Sequence, residues 1–476
     1  MTEYEAVVGL ECHVELSTTT KMFCGCPNEF GGEPNTRTCP VCLGHPGTLP
    51  VPNREAVERT MKIALALDGE VAPQSLFHRK NYFYPDMPKN YQISQYDLPI
   101  GTGGHLDVEV DGQTRRVGMT RVHLEEDTGK TVHASTTGRI AEANYALEDY
   151  NRAGVPLVEV VSEPDLRSPE EARAYLQELR ALLEALGVSD VRMEEGSLRC
   201  DANVSVRPAG RAQLGTKVEI KNMNSIRSVE RAVRFEIDRQ REALERGEPL
   251  VQETRHWDED RGVTTSLRSK EEAFDYRYFP EPDLPPMEPD EEWIGKLRAS
   301  LPELPAARRR RFVESLDLSP EQARIVTGAP GWADLFEEVV ETSGQPARSV
   351  ANWFTQTLMP VVELDRARGR ADAIVEVLRL VADGEISSTA GKEVVVEAIA
   401  SGRSPSEVVD ERSLRQISDL DVIIDEVIAE NPRPVEQFRG GKEGVLGFLV
   451  GQVMQKTGGA ANPQEAQRLL RERLSG

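Results

Sequence analysis

Across residues 281–290, Glu-Pro-Asp-Leu-Pro-Pro-Met-Glu-Pro-Asp, the hydrophobic period of the chain changes. Before this acidic, Pro-rich stretch, apolar and polar residues alternate in short runs broken by Gly, Pro and Asn, the pattern of strands and turns. After it, apolar residues recur at helical spacing. One uniform architecture cannot satisfy both patterns. At 476 residues the chain is also too long for a single core of ordinary size, so roughly two to four domains are expected, with the best boundary at this stretch.

In the first part, three strands carry polar residues in suggestive places. Alternation over residues 5–16 puts Ala6, Val8, Leu10, Cys12, Val14 and Leu16 on one face, with Val7, Gly9, Glu11, His13 and Glu15 on the other. Two carboxylates, Glu11 and Glu15, therefore flank an imidazole. Over residues 199–206, Cys200, Ala202, Val204 and Val206 face inward, while Asp201, Asn203 and Ser205 turn away. In residues 155–163, Glu159 interrupts an apolar run, and a carboxylate within such a strand needs a partner or a metal. Ser168, Pro169 and Glu171 begin a capped helix with a Leu176, Leu179, Leu183 and Leu186 stripe, and Gly187 ends it. This helix is scaffold.

Four of the six cysteines crowd into one short segment as C-x-C, twelve residues, then C-x2-C: Cys24, Cys26, Cys39 and Cys42. Thiolates paired on two turns are what a closed tetrahedral zinc site requires, and such a site is structural. The alternative is four reduced thiols in a loop. Glu125-Glu126-Asp127 precedes Gly129-Lys130-Thr131, but Leu124 stands where a P-loop needs glycine, and the three acids would repel phosphate. The acids read either as ligands for a hard cation or as a solvated acidic turn. On one strand face lie Lys217, Glu219 and Lys221; Lys80 sits in the basic, aromatic run Arg79-Lys-Asn-Tyr-Phe-Tyr84. Either segment suits phosphates or the end of a tRNA, and either also suits an ordinary surface strand.

Lys and Arg number 57 against 80 Asp and Glu, a formal charge of −23 that argues against generic coating of nucleic acid. No long apolar run and no basic-then-apolar leader occurs, so the expectation is a cytoplasmic chain with no membrane association. H-E-x-x-H, G-x-S-x-G, a dinucleotide fingerprint and a Cys-His glutaminase signature are all missing.

Several longer stretches resemble the GatB family, which supplies one chain of the aspartyl/glutamyl-tRNA(Asn/Gln) amidotransferase GatCAB. They include Val8-Gly-Leu-Glu-Cys-His-Val-Glu-Leu16, Phe23-Cys-Gly-Cys26, Cys39-Pro-Val-Cys-Leu43, Lys80-Asn-Tyr-Phe-Tyr-Pro-Asp86, Asp149-Tyr-Asn-Arg-Ala-Gly154, Glu195-Gly-Ser-Leu-Arg-Cys-Asp-Ala-Asn203, Asp275-Tyr-Arg-Tyr-Phe-Pro-Glu-Pro-Asp283 and Gly447-Phe-Leu-Val-Gly-Gln-Val-Met454. The resemblance implies an α+β fold: a β-rich cradle over residues 1–290 with the kinase and amidation site, a helical domain over 291–405, and a YqeY-like helical tail over 406–476 that contacts tRNA.

It also implies a reaction. ATP phosphorylates the side-chain carboxylate of Glu-tRNA(Gln) or Asp-tRNA(Asn), and ammonia made in the glutaminase chain, GatA, displaces the phosphate; GatC completes a heterotrimer. Mg2+ is expected to screen the two anions that meet. The resemblance places it on Glu11, His13, Glu126, Glu159 and Asp201, with Glu125 next in line. Alternation lets only one of Glu125 and Glu126 face the site unless a bulge intervenes. His13 is an unusual ligand for so hard an ion and suits a role orienting a ligand or water equally. Lys442 and Lys456 are expected to grip tRNA from the tail. Two rival classes remain open: a zinc-stabilised tRNA-binding scaffold without catalysis, and a free-standing ATP-dependent ligase for a small carboxylic acid.

Overall fold

The computed structural model describes residues 3–134, 144–267, 276–416, 420–457 and 460–475; Asp275 and the glycines after Thr457 lie outside them. The chain forms two compact units, Met1–Pro305 and Ala306–Gly476. The first is β-rich and the second helical, an α+β protein as the change of period implies.

In the first unit the early strands are β1 (Tyr4–Glu15), β2 (Glu70–Val71), β3 (His78–Asn81), β4 (Tyr91–Ser94), β5 (Gly101–Thr102), β6 (His105–Val110) and β7 (Gln113–Glu126). The later ones are β8 (Lys130–His133), β9 (Ala146–Asp149), β10 (Pro156–Ser162), β11 (Leu198–Pro208), β12 (Val218–Met223), β13 (Glu253–Asp258), β14 (Val263–Ser266) and β15 (Phe279–Pro280). The main sheet runs β14-β13-β12-β11-β1-β10-β7-β5-β2, with β6 on β7. Its pairings are antiparallel except β12 with β13. A small sheet, β15-β3-β4, and a hairpin, β8-β9, complete the unit.

Register decides what each face carries. Cys12 pairs with Val160 on one side and Cys200 on the other, and Val160 pairs with Val122. Val14, Val158 and Leu124 form the neighbouring row. These side chains are buried in one core with Tyr175, Leu176, Leu179 and Leu183 of α2 (Pro169–Ala185) and Val229, Ala232 and Val233 of α3 (Ile226–Glu245). Burial of this apolar surface is the main stabilising term. Because side chains alternate with period two, covering that face with helices leaves the opposite face of the central strands to the polar residues. Ser168 caps α2 by accepting a hydrogen bond from the Glu171 amide at 3.1 Å, and the Glu171 carboxylate accepts one from the Arg167 amide at 2.7 Å.

The Pro-rich stretch does not divide the units. The Glu281 amide donates to Phe77 O, Ser75 and Met287 bond each other through their backbones, and Trp293 Nε1 of the helix Glu291–Ala299 donates to Glu58 Oε1 at 3.0 Å. Chain punctuation here marks a turn back onto the first core.

The second unit holds two cores. Phe312, Phe336, Val350, Phe354, Ile374, Val394 and Val408 belong to one; Ile424, Val427, Leu449, Val453 and Leu470 belong to the other, which begins at Leu420. The helix Ala347–Trp353 continues as a π-turn, Phe354–Leu358, which ends ahead of Pro360. Asn462 caps the last helix, Pro463–Ser475, by accepting from the Gln464 amide at 2.9 Å.

Candidate functional site

Four residues lie in one cross-strand row on the sheet face turned away from α2 and α3: His123 of β7, Glu159 of β10, His13 of β1 and Arg199 of β11. Glu159 Oε2 is 3.1 Å from His123 Nε2 and 3.6 Å from His13 Nε2. Glu125, two residues beyond His123 on the same strand, brings its Oε2 to 3.7 Å from His123 Nε2 and accepts from Ser94 Oγ at 2.8 Å. Arg121 Nη2 stands 3.7 Å from Glu159 Oε1, and Arg121 Nε donates to His123 Nδ1 at 3.3 Å.

Burial opposes charge on Glu159, but His123, His13 and Arg121 outweigh it and hold the carboxyl well below its usual range. Glu125 is held below its usual range against burial by His123. Burial likewise works against an imidazolium at His123, yet Glu159 and Glu125 push its pKa up to about 9.

The next row adds Glu11 and Asp201, direct cross-strand neighbours. Asn203 Nδ2 donates to Glu11 Oε1 at 2.8 Å, and Lys221 Nζ donates to Asp201 Oδ2 at 2.5 Å. Lys221 also lies 3.6 Å from Glu219 Oε1, whose other oxygen accepts from Thr254 Oγ1 at 2.8 Å. Desolvation disfavours the Lys221 charge, but Asp201 and Glu219 raise its pKa above the usual value.

Of the residues expected around a metal, five share this face: Glu11, His13, Glu125, Glu159 and Asp201. His13, Glu125 and Glu159 each offer a ligand atom, and these lie within 4.8 Å of one another. Two carboxylates with one imidazole fit a divalent cation. Glu126 does not join them. Its register partner is Pro156, with no bulge between His123 and Glu126 on β7 to reverse the alternation that sends Glu125 to the polar face. Glu126 instead accepts from the Ile93 amide at 3.0 Å and pairs with buried Lys89.

Asp127 is drawn off as well. Arg199 Nη2 donates to its Oδ2 at 2.7 Å, and Arg199 and Arg152 overcome burial to hold it below the carboxylate range. Burial, then the Asp127 charge, push Glu15 up to about 8. Lys130 opens β8, and the Gly129 amide donates to Asp86 O rather than lining a phosphate loop.

Among the expected phosphate-holding residues, Lys80 is near the row: its charge helps lower the Glu125 pKa, and its Nζ is 5.0 Å from the Tyr276 ring centre. Lys221 is in the site. Lys217 immediately precedes β12 and is exposed. In the tail, Lys442 is exposed, but Lys456 Nζ donates to both Glu426 Oε2 at 2.7 Å and Glu430 Oε1 at 2.8 Å, which more than offsets its charge.

His123, Arg121 and Arg199 are site residues outside the expected set, and alternation alone had put Asn203 on the polar face. The signal for two of them was parity: Arg121, His123 and Glu125 recur at every second position of one strand.

A second centre lies in the loop after β1. The Sγ atoms of Cys24, Cys26, Cys39 and Cys42 are all within 4.8 Å of one another, and all four thiols are free. Lys21, fully buried, brings Nζ to 3.9 Å from Cys42 Sγ and donates to Tyr150 O at 3.2 Å. A hydrogen bond with Cys24 leads the effects that lower the Cys42 thiol to about 5, and burial leads those that raise Cys26 to about 11. Four converging sulfurs with an adjacent ammonium suit zinc. Cys12 and Cys200 sit 3.8 Å apart within the core, away from both centres.

Among the described residues, no helix is long and apolar enough to cross a membrane. A family model described as the GatB/GatE catalytic domain matches residues 6–295, and one described as a GatB domain matches residues 334–474. The B subunit of the aspartyl/glutamyl-tRNA(Asn/Gln) amidotransferase of Carboxydothermus hydrogenoformans is 54% identical across 100% of both chains. The protein of the same name from Moorella thermoacetica is 55% identical over 99% of this chain and 100% of its own, and that from Brevibacillus brevis 50% identical over 100% of each.

Proposed function

The chain belongs to the GatB family of amidotransferase B subunits, and from that membership we propose that it converts Glu-tRNA(Gln), Asp-tRNA(Asn) or both to the amidated form, with ATP, on the polar face of its central sheet. It works in the cytoplasm as one part of a heterotrimer with GatA and GatC. The observation that carries the reading is the convergence of His13, Glu125 and Glu159 on one face, beside Glu11 and Asp201.

A carboxylate is a poor acyl donor, so the reaction runs in two displacements. A side-chain carboxylate oxygen of the aminoacyl group attacks the γ-phosphorus of ATP; the bond from that phosphorus to the β,γ-bridging oxygen breaks, and ADP leaves with the electron pair. Ammonia from GatA then attacks the acyl carbon of the resulting acyl phosphate. The carbon–oxygen bond to phosphate breaks, inorganic phosphate departs, and a proton leaves the added nitrogen.

Glu11, His13, Glu125, Glu159 and Asp201 would hold Mg2+, which when bound screens the charge of the nucleotide against that of the attacking carboxylate. The chain's own part is positional. Ser94 fixes Glu125, Asn203 fixes Glu11, and His123 with Arg121 sets Glu159. Lys221 and Lys80 supply cations at opposite ends of the row for phosphate oxygens. The four cysteines hold a structural Zn2+, and the tail, residues 406–476, contacts tRNA.

The test is ATP cleavage by the reconstituted complex with and without Glu-tRNA(Gln). Cleavage should depend on the charged tRNA and should collapse in Asp201→Ala. Equal cleavage with free glutamate would instead identify a ligase for small acids, and an unimpaired Asp201→Ala would remove the site from this face.

A further inference from the structure

Lys221 reaches the site through an irregularity in the sheet. Asn203 pairs with Glu219 and Cys200 with Met223, so Lys221 and Asn222 together stand opposite Asp201, with a break in register between Cys200 and Ala202. Asn222 takes up the extra residue with φ +69°, in the left-handed region, and its Nδ2 donates to Trp257 O at 3.3 Å. A bulge of this kind aims a side chain at a chosen neighbour. Here it keeps Lys221 on the face of Glu11 and Asp201 and returns Met223 to the core.

The ammonium has two acceptors of different character. Glu219 is buried and its second oxygen is occupied by Thr254, so it is a fixed anchor 3.6 Å away. Asp201 is partly exposed, and its Oδ2 receives Lys221 at 2.5 Å. The same carboxylate, the cross-strand neighbour of Glu11 on the face where His13, Glu125 and Glu159 converge, is proposed above as a ligand of the divalent cation, and a metal-bound Asp201 has less charge to offer an ammonium.

We propose that Lys221 is a reserve cation: it occupies Asp201 while no ion is bound there, and when a divalent cation takes Asp201 it turns, still anchored by Glu219, onto a phosphate oxygen of the nucleotide. The proposal rests on reading this face as the phosphoryl-transfer site. Its consequence is a pair of effects of opposite sign. Removing Lys221 removes a competitor for Asp201 and tightens metal binding; it also removes a phosphate contact and slows ATP cleavage. A lysine serving only as a strut would weaken both when removed.

The experiment titrates Mn2+ into the full-length chain by electron paramagnetic resonance and measures tRNA-dependent ATP cleavage by the reconstituted complex, for wild type, Lys221→Met, Lys221→Arg, Glu219→Gln and Asp201→Ala. Lys221→Met should bind Mn2+ about tenfold more tightly, the scale of a lost charge-assisted hydrogen bond, and lose about a hundredfold in kcat, the scale set by removing one transition-state donor. Lys221→Arg should stay near wild type in Mn2+ affinity and recover part of the rate. Glu219→Gln should raise KM for ATP more than it lowers kcat. Unchanged or weaker Mn2+ binding by Lys221→Met, or ATP cleavage within twofold of wild type, overturns the proposal. If Asp201→Ala binds Mn2+ as wild type does, the metal-centre reading itself fails, and the proposal with it.

Discussion

His123 Nε2 meets Glu159 Oε2 at 3.1 Å across the β7–β10 pair, so a buried imidazole stands between the Glu159 and Glu125 carboxylates. Against burial, His123, His13 and Arg121 hold Glu159 below its usual range, and His123 with Lys80 does the same for Glu125.

The first prediction follows from that contact. His123→Ala leaves the buried Glu159 and Glu125 carboxylates without their shared imidazole partner, a loss of about 3 kcal/mol by the usual cost of breaking a buried pair. A divalent cation should neutralise the two carboxylates in its place. Melting curves are expected to show the variant well below wild type in EDTA and largely restored by millimolar Mg2+, with a smaller Mg2+ effect on wild type. A deficit that Mg2+ does not touch would separate His123 from the metal centre.

Glu125 and Glu126 should part company. Glu125→Gln removes a proposed ligand and one of the two carboxylate partners of His123, and is expected to abolish Mn2+ binding and tRNA-dependent ATP cleavage with only a modest fall in melting temperature, since Glu159 still faces His123. Glu126→Gln strands the buried Lys89 ammonium, costing about 3–5 kcal/mol, while Mn2+ affinity stays within about twofold. Calorimetry beside metal titration distinguishes the two profiles, and the reverse pattern would return Glu126 to the ligand set.

How much of this was legible follows from which interactions are local. Period-two alternation within residues 5–16 placed Glu11 and His13 on one face and Cys12 in the core, and α2 announced both of its ends through Ser168 and Gly187. The convergence of β1, β7, β10 and β11 was not legible, because register between strands that lie far apart in the chain leaves no trace in spacing. Choosing Glu126 over Glu125 was a parity question that alternation had posed but that only the unbroken register at the end of β7 could answer. His123 shares the parity of Glu125 and lay within the same run, so that signal was present and unused. The Lys221 bulge needs both partner strands to be visible.

The cysteine centre predicts one zinc per chain. Cys39→Ala or Cys42→Ala should abolish the zinc found by atomic absorption and expose residues 27–38 to proteolysis, since the loop would lose the bonds that close it. Rates of ATP cleavage per correctly folded chain should change far less than in Asp201→Ala. Full zinc content in both variants would mean that the four thiols are an ordinary reduced cluster.

The tail makes the last prediction, and its sign is set by two carboxylates. With Lys456 held between Glu426 and Glu430, a phosphate approaching the tail meets net negative charge at that point. If the tail contacts tRNA as proposed, Lys456→Ala should weaken the affinity of the full complex, because it leaves Glu426 and Glu430 without the cation they share. Glu426→Gln with Glu430→Gln should do the opposite and release a cation to the tRNA backbone. Each phosphate newly neutralised adds roughly 0.7–0.9 to the slope of log affinity against log salt. Filter binding of tRNA(Gln) between 50 and 200 mM salt, roughly the span over which such slopes are read, should therefore show tighter binding and a slope steeper by about one for the double variant. A double variant with wild-type affinity and slope would place the tRNA elsewhere, whatever the net charge of −23 suggests.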